Sequence, residues 1–520
     1  MDTLGFGELM LGEMPFEPTD QQIQLTAALA RFCSAQTPSD SVFILNGYAG
    51  TGKTSVMGAL VRSLHRVGVH TMLLASTGRA AKVLSSFTGF PAHTIHRQIY
   101  TGGSFHSDGA PTMAKINHNP HVNTIFIVDE ASMIGEGNDG GMNLLQDLVM
   151  YVYTGQNCKL ILIGDTAQLP PVGSSESPAM SAAAFKGMGL KVTRATITRT
   201  VRQRQRSGIL YNATWLRRAM QKPDQLPEPQ LTVGRFDDVE VVLPEDMEDM
   251  IGQSFSEYGE EQTILITRSN RRAVDFNLAI RKLIFDREEI LAKGDRLLIA
   301  KNNYYWPNRH REQRRKQAAE GNFSAIQVGF SPIDLEPRDI LSRPDGLPEE
   351  RRGDSPDLYV PVPGFLANGE VAVVEEILST ETRDMMMFAD VTLLLPESGA
   401  RLEAKINLDS LTAETAGLPR DKTEAIGRRT LTDAGCLYGP VTAQREALRK
   451  CPYFNALQVK YAYAVTCHKA QGGQWKSVFV DMGYIPPEAY LSLDFYRWLY
   501  TSVTRATRRL WLLAPSCRII

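Results

Sequence analysis

The chain has 520 residues, 43% hydrophobic and 22% charged. This is the balance of a globular protein with room for about three or four cores, and it excludes wholesale disorder or a fibre. Lys and Arg total 56 against 58 Asp and Glu, a formal charge of −2, so bulk charge points to no partner and any nucleic-acid site must come from local clustering. The six Cys are scattered without a CxxC pair, which argues against a zinc site or disulfide scaffold and fits a reducing compartment. The opening MDTLGFGELMLGEMPFEPTD has no basic residue before its apolar ones, unlike a secretory signal. No stretch reaches the roughly 20 uncharged apolar residues that span a bilayer. A soluble, cytoplasmic protein without membrane contact is expected.

After a loosely held leader over 1–18, Ile23, Leu25, Ala28, Leu29 and Phe32 recur at helical spacing, with Thr19 and Asp20 as caps. Val42–Leu45 reads as a buried strand, followed by a Gly-rich turn and a helix from Lys53 to Arg66. Strand-like runs recur at Thr71–Ala75, Thr124–Val128 and Lys159–Ile163, each followed by a turn and a helical pattern. This alternation predicts a parallel sheet covered on both faces. It returns at Thr263–Thr267, Asn270–Leu283, Val478–Asp481 and Leu510–Ala514, giving a second α/β domain. The span 302–455 breaks the pattern: it opens on the polar run WPNRHREQRRKQAAEGN, and its clearest strands are Glu370–Ile377 and Phe388–Leu395. It reads as a small β-rich insertion with mobile segments.

Gly47-Tyr-Ala-Gly50-Thr51-Gly52-Lys53-Thr54 matches G-x-x-x-x-G-K-[ST] between a strand and a helix. Such a loop turns backbone N–H groups onto phosphate oxygens at a helix N-terminus, with Ser55 next in line. Lys53 is expected to reach the β- and γ-phosphates of ATP and Thr54 to hold Mg²⁺. The strand ending Ile127-Val-Asp129-Glu130 supplies Asp129 for Mg²⁺ and Glu130 to polarise the attacking water. Positive groups for the transferred phosphoryl must come from elsewhere. Arg202 and Arg505 are candidates, the former in a stretch (191–220) with seven Arg, one Lys and no acid. A solvated basic face is the bland alternative for that run.

The ordered segments GYAGTGKT, STGRAAKVL (Ser76–Leu84), HTIHR (His93–Arg97), IVDEASM (Ile127–Met133), LIGDTAQLPPV (Leu162–Val172), TRTVRQ (Thr198–Gln203), TCHKAQGGQW (Thr466–Trp475) and YTSVTRAT (Tyr500–Thr507) resemble the motif series of superfamily 1B DNA helicases of the RecD and Dda type. The resemblance runs from residue 47 to 507 and is looser in the insertion, through GDRLLIAKNNY (Gly294–Tyr304) and FLANGEVAVVEE (Phe365–Glu376). It implies an α/β fold of two RecA-like P-loop domains with parallel sheets, a small pin hairpin and an SH3-like β-rich insertion. The expected boundaries are 1–190 for the first motor domain with the pin at about 98–118, 191–301 and 456–520 for the second, and 302–455 for the insertion.

Roles follow from the resemblance. Gln22 would read adenine, Gln168 would sense the γ-phosphate, Gly472 would line the nucleotide site, and Arg202 and Arg505 would complete that site from the second motor domain. Thr77 and His96 on one domain, and Thr466, His468 and Gln471 on the other, would hold the strand by its phosphates. Lys82 and Lys469 would add charge, with Phe90 as a stacking candidate. Tyr100 or Phe105 in the pin would stack against the opening base pair. Gln474 stands where many relatives carry a ribose-binding acid, which implies looser sugar selectivity. The expected activity is ATP-dependent 5′ to 3′ translocation on single-stranded DNA with duplex separation. Duplex junctions and single-strand-binding, replication or repair proteins would be its partners, and a monomer would suffice. Two alternatives are a translocase that does not unwind and a P-loop phosphotransferase.

Overall fold

The computed structural model describes residues 2–101, 115–135, 143–199, 207–319, 362–513 and 517–520. Its first sheet is six-stranded and wholly parallel, in the spatial order Ala92–Thr94, His70–Ala75, Thr124–Asp129, Lys159–Gly164, Ser41–Gly47 and Lys191–Ile197. Val42, Phe43, Ile44 and Leu45 are fully buried, which is why that strand reads as an unbroken apolar run: both faces are covered. Each such side chain contributes about 1.5–3 kcal/mol of burial. The helices Asp20–Cys33 and Lys53–Arg66 join one buried cluster, and Leu144–Thr154 belongs to the cluster on the other face.

A second parallel sheet runs Val239–Val242, Ala506–Leu513, Trp475–Asp481, Thr263–Thr267 and Ala464–Thr466. Between its strands in sequence lies a closed five-stranded barrel of Arg296–Ile299, Val371–Arg383, Met386–Leu395, Ala400–Asn407 and Leu457–Tyr461. It fits an SH3-like insertion. Among the described residues no helix is long and apolar enough to cross a membrane.

Three expectations need correction. Lys191–Ile197 pairs with Ser41–Gly47 along its whole length, so the first sheet continues past residue 190. The barrel draws its first and last strands from outside 302–455, because closure needs both flanks to pair with each other. The polar run is helical over Tyr305–Ala319, with Trp306 buried and its indole donating to the Asn455 carbonyl at 2.8 Å. The Tyr305 hydroxyl, donating to the Lys450 carbonyl, and Arg311, donating to the Gly364 carbonyl, both at 3.2 Å, add further anchors.

Candidate active site and strand track

The phosphate loop joins the end of Ser41–Gly47 to the helix Lys53–Arg66. Gly52 caps that helix at φ 81°, a left-handed conformation that favours glycine. Thr54 and Ser55 stand half-buried in the first turn. Lys53 Nζ curls back to donate to the carbonyls of Gly47 and Tyr48 and lies 4.0 Å from Asp165 Oδ2. A cationic head, free helix N–H groups and a left-handed glycine turn together form an anion cradle.

Asp129 ends the neighbouring strand, and its Oδ1 accepts from the Glu130 N–H at 2.9 Å. Burial, and then the Glu130 charge, push its carboxyl up to about 7, so it gains from a cation beside it. Glu130 adopts φ 52°, a strained left-handed backbone for a non-glycine. Strain of this kind clusters at functional sites. The Ser76 hydroxyl donates to the Glu130 carbonyl at 3.1 Å, fixing that turn.

The second domain closes directly over this loop. The Ala49 N–H donates to the Tyr500 hydroxyl at 2.9 Å, and that hydroxyl donates to Asp165 Oδ2 at 2.7 Å. Burial and the Asp165 charge raise the Tyr500 phenol well above its ordinary range, so it remains a donor. The Arg217 guanidinium sits 4.5 Å over the Tyr48 ring and donates to the Thr198 carbonyl at 3.0 Å. On the other side of the cleft, Arg79 stacks 3.9 Å over Trp475 and donates to the Gln474 carbonyl at 2.9 Å. Asp165, Tyr500, Arg217, Arg79 and Trp475 were not singled out from sequence. Their segments were recognised, but only the fold shows which of their side chains face across.

Among the expected residues, Gln22 is buried. Its Nε2 donates to the Thr51 carbonyl at 3.0 Å and its Oε1 accepts from the Thr19 N–H at 2.9 Å. Each end of the amide has one partner inside the protein, so Gln22 ties the phosphate loop to the preceding helix. Gln168 is buried beside Asp165. Arg505 is also buried and donates to the carbonyls of Thr501 and Gly473 and to the Thr504 hydroxyl, at 3.0–3.2 Å. The adjoining Gly472, at φ 72°, packs where an added Cβ would lie 2.8 Å from Thr77 Oγ1 and 3.9 Å from Glu130 Cγ. Arg505 thus stands one residue layer behind the seam at Glu130. Arg202 and Phe105 lie outside the described residues.

A groove of about 540 Å³ runs between the helix Gly78–Thr88, the segment Phe90–Arg97 and the barrel. Lys82, Phe90, His93 and Arg97 line one wall, and Phe365, Glu370 and Glu397 the other. Thr77 caps the helix through Oγ1, which accepts from the Ala80 N–H at 3.2 Å. Glu397 Oε2 would lie 2.7 Å from a Cβ at Gly78, in the first turn of the same helix. Burial pushes the Glu370 carboxyl up to about 7 and raises Glu397 as well. His96 places its ring 5.7 Å from that of Tyr100.

On the second domain Thr466 caps the short helix Cys467–Ala470. Burial lowers the His468 imidazole and brings Lys469 down to about 8. Gln471 is buried and its Nε2 donates to the Leu169 carbonyl at 2.7 Å. It binds the two domains together while lining, with Thr77 and Lys469, a pocket between them. Tyr100 departs from expectation, being buried at the hairpin base where its hydroxyl donates to Asp147 at 2.6 Å. Packing holds that ring away from any base pair. The base itself pairs Tyr100–Thr101 with Lys115–Ile116, and its tip lies outside the described residues.

Residues 22–225 match the AAA domain family and residues 461–513 the UvrD-like helicase C-terminal domain family. Over 138 residues the chain is 34% identical to the ATP-dependent RecD2 DNA helicase of Deinococcus radiodurans, a stretch covering 26% of this chain and 17% of that protein. The match therefore spans less than a fifth of that relative's length. The chain is also similar to two solved structures. One is the Pif1 helicase from Bacteroides in complex with ADP-AlF3 and ssDNA, at 13% identity and TM-score 0.43 over 96% of this chain and 93% of that one. The other is the Pif1 helicase from Candida albicans, at 15% identity and TM-score 0.39 over 96% of each.

Proposed function

We propose that this chain, a superfamily 1B helicase of the RecD type by its motif series and family matches, hydrolyses ATP to move along single-stranded DNA and separate the duplex. One observation carries the reading: the phosphate loop is roofed by the second domain, through Ala49, Tyr500 and Asp165. Nucleotide in that loop must therefore act on the seam between the domains. A phosphotransferase needs no such seam over its phosphate loop.

Gly50, Thr51, Gly52 and Lys53 would cradle the phosphates, with Thr54 and Asp129 holding Mg²⁺, which supplies charge neutralisation when bound. The buried Asp129 carboxyl with its raised pKa fits a cation ligand. Glu130 would take the proton of the attacking water. Lys53 would leave the loop carbonyls for the phosphates, releasing its approach to Asp165 and so touching the Tyr500 contact. Arg202 and Arg505 would supply positive charge from the second domain. Thr77, His96, Thr466 and His468 would grip the strand by its phosphates, and alternating grip would convert closure into steps. Gln471 and Gln168, both at the Leu169 turn, would relay the nucleotide state. Phe105 remains the candidate wedge in the pin.

Travel from 5′ to 3′ follows from the family reading alone. The six cysteines are all unpaired, as suits a cytoplasmic protein, and single-strand-binding or repair proteins are suitable partners. The test is strand displacement on substrates with a 5′ or a 3′ tail, with ATP and Mg²⁺. Unwinding of the 5′-tailed substrate is expected. Turnover indifferent to DNA, with no displacement of either substrate, would overturn the reading.

A further inference from the structure

A cavity of about 480 Å³ opens beside the Asp165–Pro170 turn, walled by Ser132, the segment Glu176–Ala183, Arg194 and Arg497. Three buried polar atoms belonging to its lining residues have no hydrogen-bond partner among the described residues: Ser132 Oγ, Gln168 Oε1 and Ser177 Oγ. Ser132 is 2% and Gln168 5% exposed. A buried polar atom left without a partner is costly, so three around one cavity point to a polar occupant.

The chemistry narrows the class. Arg194 and Arg497 offer guanidinium donors from the two domains, although Arg497 also donates to the Ser175 carbonyl at 2.6 Å. Ser132, Ser177 and Ser181 offer hydroxyls, and Asp165, Glu176 and Gln168 Oε1 are acceptors. Mixed cationic donors and acceptors suit an oxyanion that still bears protons, as inorganic phosphate does near neutral pH and sulfate does not. Asp165 connects the two sites, since its Oδ2 is 4.0 Å from Lys53 Nζ while the residue also lines the cavity.

We propose that this cavity binds inorganic phosphate and receives the phosphate cleaved from ATP on its way out, past Asp165. The proposal rests on the ATP-hydrolysing reading. The direct test is calorimetric titration of inorganic phosphate into full-length protein saturated with ADP and Mg²⁺, with sodium sulfate as a second arm. Wild type should take up one phosphate and bind sulfate more weakly. Arg194→Ala and Ser177→Ala should each weaken phosphate by about tenfold, the loss of one charge-assisted or well-placed hydrogen bond. In a separate assay without added ADP, ATP turnover should be slowed by added phosphate without any change in the ATP concentration needed for half-maximal rate. Phosphate heat no greater than dilution, affinity unchanged in both variants, or inhibition that simply competes with ATP would each overturn the site. Wild-type protein that binds phosphate but does not turn over ATP would instead overturn the hydrolase reading and leave the site standing.

Discussion

Asp129 shows how one residue carries both chemistry and cost. Its carboxyl is raised from 3.8 to about 7 by burial and by Glu130, so the neutral form is the one the fold prefers. Stability is therefore greatest where Asp129 is protonated and falls as pH rises toward 7. Asp129→Asn removes that ionisation while keeping the shape. At pH 8 without nucleotide the variant should melt higher by about 2–4 °C, as ~1 kcal/mol gives in a domain of this size, while Mg²⁺-dependent hydrolysis is lost; melting curves and a phosphate-release assay read both. A variant no more stable than wild type at pH 8 would remove the burial argument. Arg505 makes a related prediction. In this structure its guanidinium is spent on Thr501, Gly473 and Thr504, so the proposed finger role requires it to leave them for the phosphates; if it does, Arg505→Ala should cut hydrolysis by about 10³-fold, on the scale of an arginine finger, with ATP binding nearly unchanged in a fluorescent-nucleotide titration. Equal loss of binding and hydrolysis would make Arg505 a structural anchor only.

At the scale of elements, the helix Gly78–Thr88 presents its first turn to Glu397 from the barrel. Burial raises that carboxyl, against the opposing pull of the Lys82 and Arg79 charges and of the helix dipole. On the proposed track a strand phosphate would approach the same turn and compete with Glu397. Glu397→Gln should tighten single-stranded DNA by about fivefold, equivalent to ~1 kcal/mol, in an anisotropy titration at low salt. Weaker binding would mean that Glu397 holds the groove open. The helix itself was legible as a motif, but its neighbour was not: Glu397 lies more than three hundred residues away and comes from a barrel whose closing strands had no distinctive pattern. The hairpin base at Tyr100 carries the same lesson, since its aromatic read as a wedge until Asp147 was seen to claim the hydroxyl.

Across the whole molecule, a seam of hydrogen bonds joins the two domains. The Leu169 N–H donates to the Thr501 hydroxyl at 2.9 Å and the Leu169 carbonyl accepts from Gln471, so one turn is gripped twice by the other domain. Thr501→Val leaves a buried N–H unpaired, at about 1–3 kcal/mol. DNA stimulation of ATPase should fall several-fold while basal turnover is kept, measured with and without oligonucleotide. Stimulation equal to wild type would show that the seam does not couple. A motor gripping several phosphates should also lose affinity steeply with salt, log K falling by about 0.7 per contact per log unit. A flat salt response would remove the track.

The local chemistry was legible from residue order alone: the glycine pattern that shapes the phosphate loop, the acids at the strand end, and the alternation of buried runs and helices that makes two parallel sheets. These depend on neighbours within a few residues, so short-range spacing encodes them. Only the tertiary structure decided that Tyr500 reaches Asp165, that Gln22 and Gln471 spend their amides inside the protein, that Lys191–Ile197 completes the first sheet and that unpaired hydroxyls meet in one cavity. Those contacts join residues as much as 335 positions apart. Which polar groups meet there depends on how the two sheets dock, and local pattern does not record that.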